Sequence, residues 1–167
     1  MIARTGRPTP QGDSMAPPTP TSNATAASTA PPGATRARDA GRATELGRLR
    51  HHLVDGLRRG LAVDDDLDDD GASAYEPGYS QGDVDDCARI VDDLLVSLAE
   101  VRGREADVLK VVRATVDRLN ELNERCDCAL IDATQRDELC DLLNAAARDA
   151  GLRTSPHEDI TETWREW

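Results

Sequence analysis

Three cysteines and one histidine in the second half of the chain could together hold a metal ion. Cys126 and Cys128 are separated by one residue, and Cys140 and His157 follow further along. Thiolate and imidazole groups are ligands that Zn²⁺ and Cu(I) favour. The spacing lacks the paired C-x2-C arrangement that is typical of zinc sites, and free cysteines are commonly buried in a core. Metal binding by these Cys and His residues, or thiol sensing, is therefore the alternative function that the sequence leaves open.

The sequence contains no motif that is typical of an enzyme. It has no H-E-x-x-H helix, no G-x-S-x-G nucleophile turn, no phosphate-binding loop and no dinucleotide-binding turn. A reactive thiol would need a lowered pKa, but Glu124 and Asp127 place negative charge beside Cys126 and Cys128. We therefore predict no catalytic residue and no cofactor.

The chain is strongly acidic, with 32 aspartates and glutamates, 20 lysines and arginines and a net charge of -12. Residues 64–167 carry the acidic excess, whereas residues 1–63 carry a small basic excess. A negative field repels nucleic acid and anionic lipid and attracts basic proteins. The charge predicts a basic protein partner or a homo-oligomer, and neither nucleic acid nor a membrane as partner.

Two groups of side chains are candidates for the partner surface. Five carboxylates lie off the apolar stripe of the predicted second helix: Asp85, Asp86, Asp92, Asp93 and Glu100. Trp164 and Trp167 lie in the C-terminal tail, and tryptophan is enriched at the energetic centres of interfaces. The competing interpretation is that the two tryptophans fold back and cover a core that contains no phenylalanine.

Apolar residues at intervals of three and four predict helices, and no strand pattern occurs. The sequence predicts an all-α fold, a small antiparallel bundle of three to four helices with a disordered N-terminal tail. The predicted segments are a Pro/Thr/Ala-rich tail over residues 1–41, a basic amphipathic helix over 42–63, an acidic linker loop over 64–80, and a helical bundle with a C-terminal tail over 81–167.

The predicted helix ends follow from residues that favour caps and turns. Ser80 or Asp83 is a suitable N-cap for the second helix, and Gly103 interrupts the pattern after it. Thr134 and Asp137 have the spacing of a capping box, so we predict that Thr134 caps the fourth helix. Gly151 is expected to end that helix in a left-handed conformation.

Parts of the second half resemble an uncharacterised family of small helical bacterial proteins with a Trp-ending C-terminal tail. The resemblance covers about residues 80–167 and rests on LNELNERC (residues 119–126), ALIDATQRDELCDLL (residues 129–143) and EDITETWREW (residues 158–167). It implies a Leu-Asn-x-Leu helix end, an acidic start to the next helix and a tail that closes on tryptophan. It implies no activity.

The sequence favours a non-enzymatic protein-interaction module, of the kind represented by immunity or antitoxin proteins. No secretory signal opens the chain, so we expect a cytoplasmic location with reduced cysteines. Lys110 is the single lysine, and arginine in place of lysine is typical of bacteria with GC-rich genomes.

Overall fold

The structure, a computed structural model, describes residues 32–62, 77–155 and 157–167, with the backbone alone for residues 32–39. It contains four helices in this part of the chain: α1 (Pro32–Leu61), α2 (Gln81–Glu100), α3 (Glu105–Arg125) and α4 (Ala133–Asp149). No strand occurs among these residues, so the predicted all-α class is confirmed. None of the described helices is long and apolar enough to cross a membrane.

The first helix begins earlier than the sequence predicts. Helix α1 starts at Pro32 rather than at Arg42, so the last part of the predicted disordered tail is helical. Proline is favoured at the first helical position, and the alanines and arginines that follow it are good helix formers. The rest of that tail, and residues 63–76 of the predicted acidic linker, lie outside the described residues.

Arginine–aspartate pairs set helices α1 and α2 antiparallel. Arg50 holds both carboxylate oxygens of Asp92, with nitrogen–oxygen distances of 2.5 and 2.6 Å. Arg58, two turns later on α1, lies 3.8 Å from Asp85, which is two turns earlier on α2. Because the order of the partners is reversed, the two helices run in opposite directions.

Ion pairs also join α2 to α3 and α1 to α4. On α3, Arg118 pairs with Asp93 at 2.9 Å and Arg125 pairs with Asp86 at 3.1 Å. Between α1 and α4, His52 contacts Glu138 at 3.2 Å and Arg42 contacts Asp149 at 3.5 Å. Each set of partners is again in reversed order, so the four helices form the antiparallel bundle that the sequence predicts.

The core between the helices is aliphatic. Its fully buried leucines are Leu53, Leu57, Leu94, Leu119, Leu122, Leu130, Leu139, Leu142 and Leu143. Each such side chain contributes about 1.5 to 3 kcal/mol to stability when it leaves water. Tyr79, Trp164 and Trp167 are half-buried against this core from outside the helices.

Two glycines join the ends of α2 and α4. Gly103 and Gly151 have φ values of 80° and 101°, a region that residues with a side chain rarely adopt. The Gly103 amide donates to the Ala150 carbonyl at 2.8 Å, so the α2–α3 turn rests on the end of α4. The predicted interruption at Gly103 and the predicted helix end at Gly151 are confirmed.

The helix starts are capped by side chains, but not all by the predicted ones. Ser80 and Asp83 form a reciprocal capping box at the start of α2. The prediction that Thr134 caps α4 is wrong. Asp132 is the cap, because its carboxylate accepts from the Thr134 and Gln135 amides at 2.6 and 3.1 Å. Thr134 already lies inside the helix, so its hydroxyl is too late in the chain to reach these amides.

We expect Asp132→Ala to lower the free energy of unfolding by about 1 kcal/mol, because it removes the acceptor of two helix-end amides. Thr134→Ala is the control and should change it by less than about 0.5 kcal/mol, the usual range for surface positions. Urea denaturation of both variants measures the difference. An equal loss in the two variants would contradict the assignment of the cap.

Candidate functional site

Two asparagines hold the C-terminal tail, residues 157–167, against the bundle. The Asn144 amide on α4 donates to the Cys140 carbonyl at 2.8 Å, and its oxygen accepts from the Ile160 amide at 3.2 Å. The Asn120 amide on α3 donates to the Trp164 carbonyl at 2.8 Å, and its oxygen accepts from the Glu166 amide at 3.1 Å. Each asparagine therefore forms hydrogen bonds with backbone groups of the tail that have no helix or strand partner.

Asp159 is the polar centre of this contact. Its carboxylate accepts from the Thr161 amide at 2.9 Å, from the Thr161 hydroxyl at 2.6 Å and from the Arg165 guanidinium at 3.2 Å. Burial by itself raises the pKa of Asp159, but these donors and Asn144 outweigh it, so the pKa is lowered. The ionised carboxylate is the form that holds the tail.

A cleft of about 360 Å³ lies between α4 and the tail. Arg136, Cys140, Asn144 and Arg148 line one wall, and each is four residues from the next, so successive members are neighbours along α4. The tail supplies the other wall, with His157, Glu158, Asp159 and Arg165, while Asp137 and Asp141 also line the cleft. The cleft is open and polar, and its charged groups carry both signs.

The Cys140 thiol in this cleft is not arranged as a nucleophile. Its sulfur lies 3.6 Å from an Asp159 carboxylate oxygen and 3.6 Å from the Thr161 hydroxyl. Burial raises the pKa of Cys140, and Asp159 adds to this effect. No hydrogen bond joins Cys140 to His157 in the described part of the chain. The arrangement therefore keeps the thiol protonated instead of activating it.

The four predicted metal ligands are not brought together. Cys140 and His157 line the same cleft, but Cys126 is buried and Cys128 is exposed on the turn after α3. No group of three or more His, Cys, Asp or Glu side chains in the described residues could hold a metal ion. The structure therefore does not unite these four residues in one site, because Cys126 faces the core rather than the cleft, and the alternative of a metal-binding function stays a prediction.

The buried thiols are also poor candidates for a sensor. Burial raises the pKa of Cys87 on α2 to about 12, and the neighbouring Cys126 contributes to this shift. The pKa of Cys126 is raised to about 11, first by burial and then by Asp83. Thiolates are the reactive form, and the raised pKa values disfavour the thiolate of both cysteines at neutral pH.

Most carboxylates of the predicted partner surface are engaged within the chain. Four of them pair with arginines of neighbouring helices: Asp85 with Arg58, Asp86 with Arg125, Asp92 with Arg50 and Asp93 with Arg118. Glu100 is exposed and has no ion pair within the described residues. A partner would have to displace arginines at α2, so partner binding by these five residues stays a prediction.

The two tryptophans lie where a cover over the core is expected. Both are half-buried and pack against the core, and the Arg165 guanidinium lies 6.0 Å from the centre of the Trp167 ring. The buried Nε1 of Trp167 has no hydrogen-bond partner among the described residues. This packing favours the covering interpretation, and a role as partner anchors stays a prediction.

Sequence reasoning missed the residues that shape the cleft. Asn120 lies within the LNELNERC segment, yet only the folded tail shows that its amide meets Trp164 and Glu166. Nothing in the sequence indicates the role of Asp159, which lies in a short polar tail. Arg136 and Arg148 were not singled out in the sequence, and only the folded tail shows that both line the cleft.

Asp159→Asn should lower the free energy of unfolding by about 1 to 3 kcal/mol at pH 7, because it weakens charge-assisted hydrogen bonds. The pKa of Asp159 is lowered on folding, so its contribution is full above the unfolded-state value of about 3.9 and is lost as the pH falls through the lower folded-state value. Urea denaturation between pH 7 and acid should show the difference from wild type shrinking. Glu162→Gln, in the same tail, should show no such change, and a pH-independent difference would contradict this role of Asp159.

Asn120→Ala should move the tryptophan emission to longer wavelengths, because the tail loses both backbone contacts to α3 and its indoles become more exposed. Fluorescence of the folded protein measures this shift. Asp117→Asn, on the outer face of the same helix, is the control and should leave the emission unchanged. Unchanged emission in Asn120→Ala would show that packing alone holds the tail.

Comparison with protein-family models, with curated proteins and with solved structures finds no match for this chain. The resemblance to a family of small helical bacterial proteins therefore stays a prediction. What can be proposed about function rests on the geometry and the charges described above.

Proposed function

We propose that this protein is a non-enzymatic interaction module that binds a basic protein partner. The proposal is supported by the distribution of ion pairs more than by the net charge alone. All but two of the arginines with described side chains pair with a carboxylate of the same chain, and the exceptions are Arg136 and Arg148. The surplus carboxylates therefore have no counter-charge within the described residues.

The best placed of these surplus carboxylates lie at the end of α3. Glu121 and Glu124 are exposed on the last two turns of the helix, and Asp127 is exposed on the turn that follows. Residues three apart on a helix are neighbours on its surface. Asp127 follows Glu124 by three residues and lies at the same end of the bundle. We call Glu121, Glu124 and Asp127 the α3 acidic surface. No ion pair within the described residues involves any of the three.

This surface suits recognition by charge complementarity. Like charges that share one surface attract a basic partner over about one Debye length, near 8 Å at physiological salt. Such attraction orients the partner and speeds association more than it tightens the final complex. The α3 acidic surface needs no internal arginine to be displaced, in contrast to the aspartates of α2. A basic toxin is the partner that an immunity or antitoxin protein would bind, and this is the narrowest form of the proposal.

The test is co-purification from an extract of the source cells at low salt, with the bait as the full chain. Wild type should retain a stoichiometric basic protein that elutes as salt is raised. The variant Glu121→Gln, Glu124→Gln, Asp127→Asn should retain much less of it, because the complementary charge is gone.

The matched control is Glu100→Gln, Glu162→Gln, Glu166→Gln, which removes the same charge from exposed carboxylates that also lack ion pairs in the described chain. It should bind as wild type does. Equal loss in both variants would mean that only net charge matters. Recovery of no basic partner by wild type would overturn the proposal.

A further inference from the structure

The C-terminal tail lies across two helices and is bound through its backbone. It meets α4 first, where the Asn144 oxygen accepts from the Ile160 amide at 3.2 Å. It then meets α3, where Asn120 forms hydrogen bonds with the Trp164 carbonyl and the Glu166 amide. We call the faces of α3 and α4 that carry Asn120 and Asn144 the tail-binding surface. Side chains that bind the backbone of a short segment in this way are typical of peptide recognition.

The conformation of the tail is set by hydrogen bonds within the tail itself. The Asp159 carboxylate accepts from the Thr161 amide and hydroxyl and from the Arg165 guanidinium. The Trp164 and Arg165 amides donate to the Thr161 carbonyl at 2.9 and 3.0 Å. All of these bonds join residues between 159 and 165, so the tail of another copy can form them equally well. A segment that is already ordered loses less conformational entropy when it binds.

Side chains of the tail anchor it to the bundle. Thr161 is 0% exposed, and its hydroxyl lies 3.6 Å from the Cys140 sulfur on α4. Ile160 and Trp164 are half-buried and pack against the core. These contacts join side chains of the tail to the helices, and their geometry does not depend on the covalent link between α4 and the tail. A separate copy of the tail can therefore make the same contacts.

The connection between α4 and the tail can open without breaking a helix. The Leu152 amide donates to the Ala147 carbonyl at 3.0 Å and completes the end of α4. Residues 152–155 lie outside the helices, and the Arg153 side chain is 93% exposed. Exchange of such a terminal segment between two copies is a low-cost route to a dimer, because each contact that is lost within a copy is formed again between copies.

We infer that the tail is a peptide ligand of the tail-binding surface, and that a second copy of this chain binds there through its own tail. Within one copy the covalent link holds the tail near the surface at an effective concentration in roughly the millimolar range. Exchange therefore prevails where the copy's own tail is weakened. The ligand is bound through its backbone and apolar anchors rather than through charge, so this site is distinct from the α3 acidic surface and goes beyond the proposed function.

The test mixes two full-length variants. The acceptor, Ile160→Ala with Trp164→Ala, keeps the tail-binding surface and weakens the tail. The donor, Asn120→Ala with Asn144→Ala, keeps the tail and weakens the surface. Light scattering after size-exclusion chromatography measures the mass, and circular dichroism checks that both variants keep their helices. We expect each variant alone to be a monomer and the equimolar mixture to contain a heterodimer. A mixture that stays monomeric would overturn the inference.

A labelled synthetic peptide of residues 157–167 tests the same surface without the donor variant. Its fluorescence anisotropy should show saturable binding to the acceptor, and binding at least about tenfold weaker to wild type, whose own tail competes. Adding Asn144→Ala to the acceptor should weaken binding about fivefold, the effect of one lost hydrogen bond. Adding Asp117→Asn, on the outer face of α3, is the control and should change nothing. Absence of saturable binding, or equal binding of a peptide with the same residues in scrambled order, would contradict recognition of the tail.

Discussion

Hydrogen bonding from asparagine side chains to the C-terminal tail is the interaction on which the cleft and the tryptophan cover both depend. Asn120 donates to the Trp164 carbonyl and accepts from the Glu166 amide, while Asn144 accepts from the Ile160 amide and donates to the Cys140 carbonyl of its own helix. Without these contacts α4 would present its polar face to solvent with no opposite wall. Asn123 extends the same principle inside the core, where its oxygen accepts from the Ile131 amide at 2.9 Å.

Arginine–aspartate pairs determine how the helices are matched rather than how strongly they are held. Exposed pairs usually contribute little to stability, between about 0 and 1 kcal/mol each. The bidentate contact of Arg50 with Asp92 is the best formed of those between helices, yet it too is partly open to water. Their larger effect is on register, since a shift of one turn would separate the aspartates of α2 from the arginines of α1 and α3. The aliphatic core supplies most of the stability.

Much of the fold follows from the sequence, because apolar spacing in α2, α3 and α4 is regular and the two glycines that end helices need a left-handed backbone. The start of α1 could not be placed, since its first turns contain residues typical of both helices and disordered tails. The cap of α4 was misplaced because Asp132 and Thr134 are both suitable caps, and only the backbone decides between them. The sequence shows net charge but not its pairing, so the engagement of the α2 aspartates and the isolation of Arg136 and Arg148 required the structure. The cleft itself depends on tail contacts between residues far apart in the chain.

The close approach of Gly60 to Tyr79 restricts how the sequence can change over time. The Tyr79 hydroxyl donates to the Leu57 carbonyl at 3.0 Å and occupies the space that a side chain at position 60 would need. A larger residue at position 60 therefore requires the Tyr79 side chain to move or to be replaced, and either change disturbs that hydrogen bond. Gly56 and Glu138 are linked in a milder way, since a Cβ at position 56 would lie 3.3 Å from a Glu138 carboxylate oxygen. Among descendants of this chain, substitutions at the two positions of each pair should therefore be correlated, even though each pair joins segments that are distant in sequence.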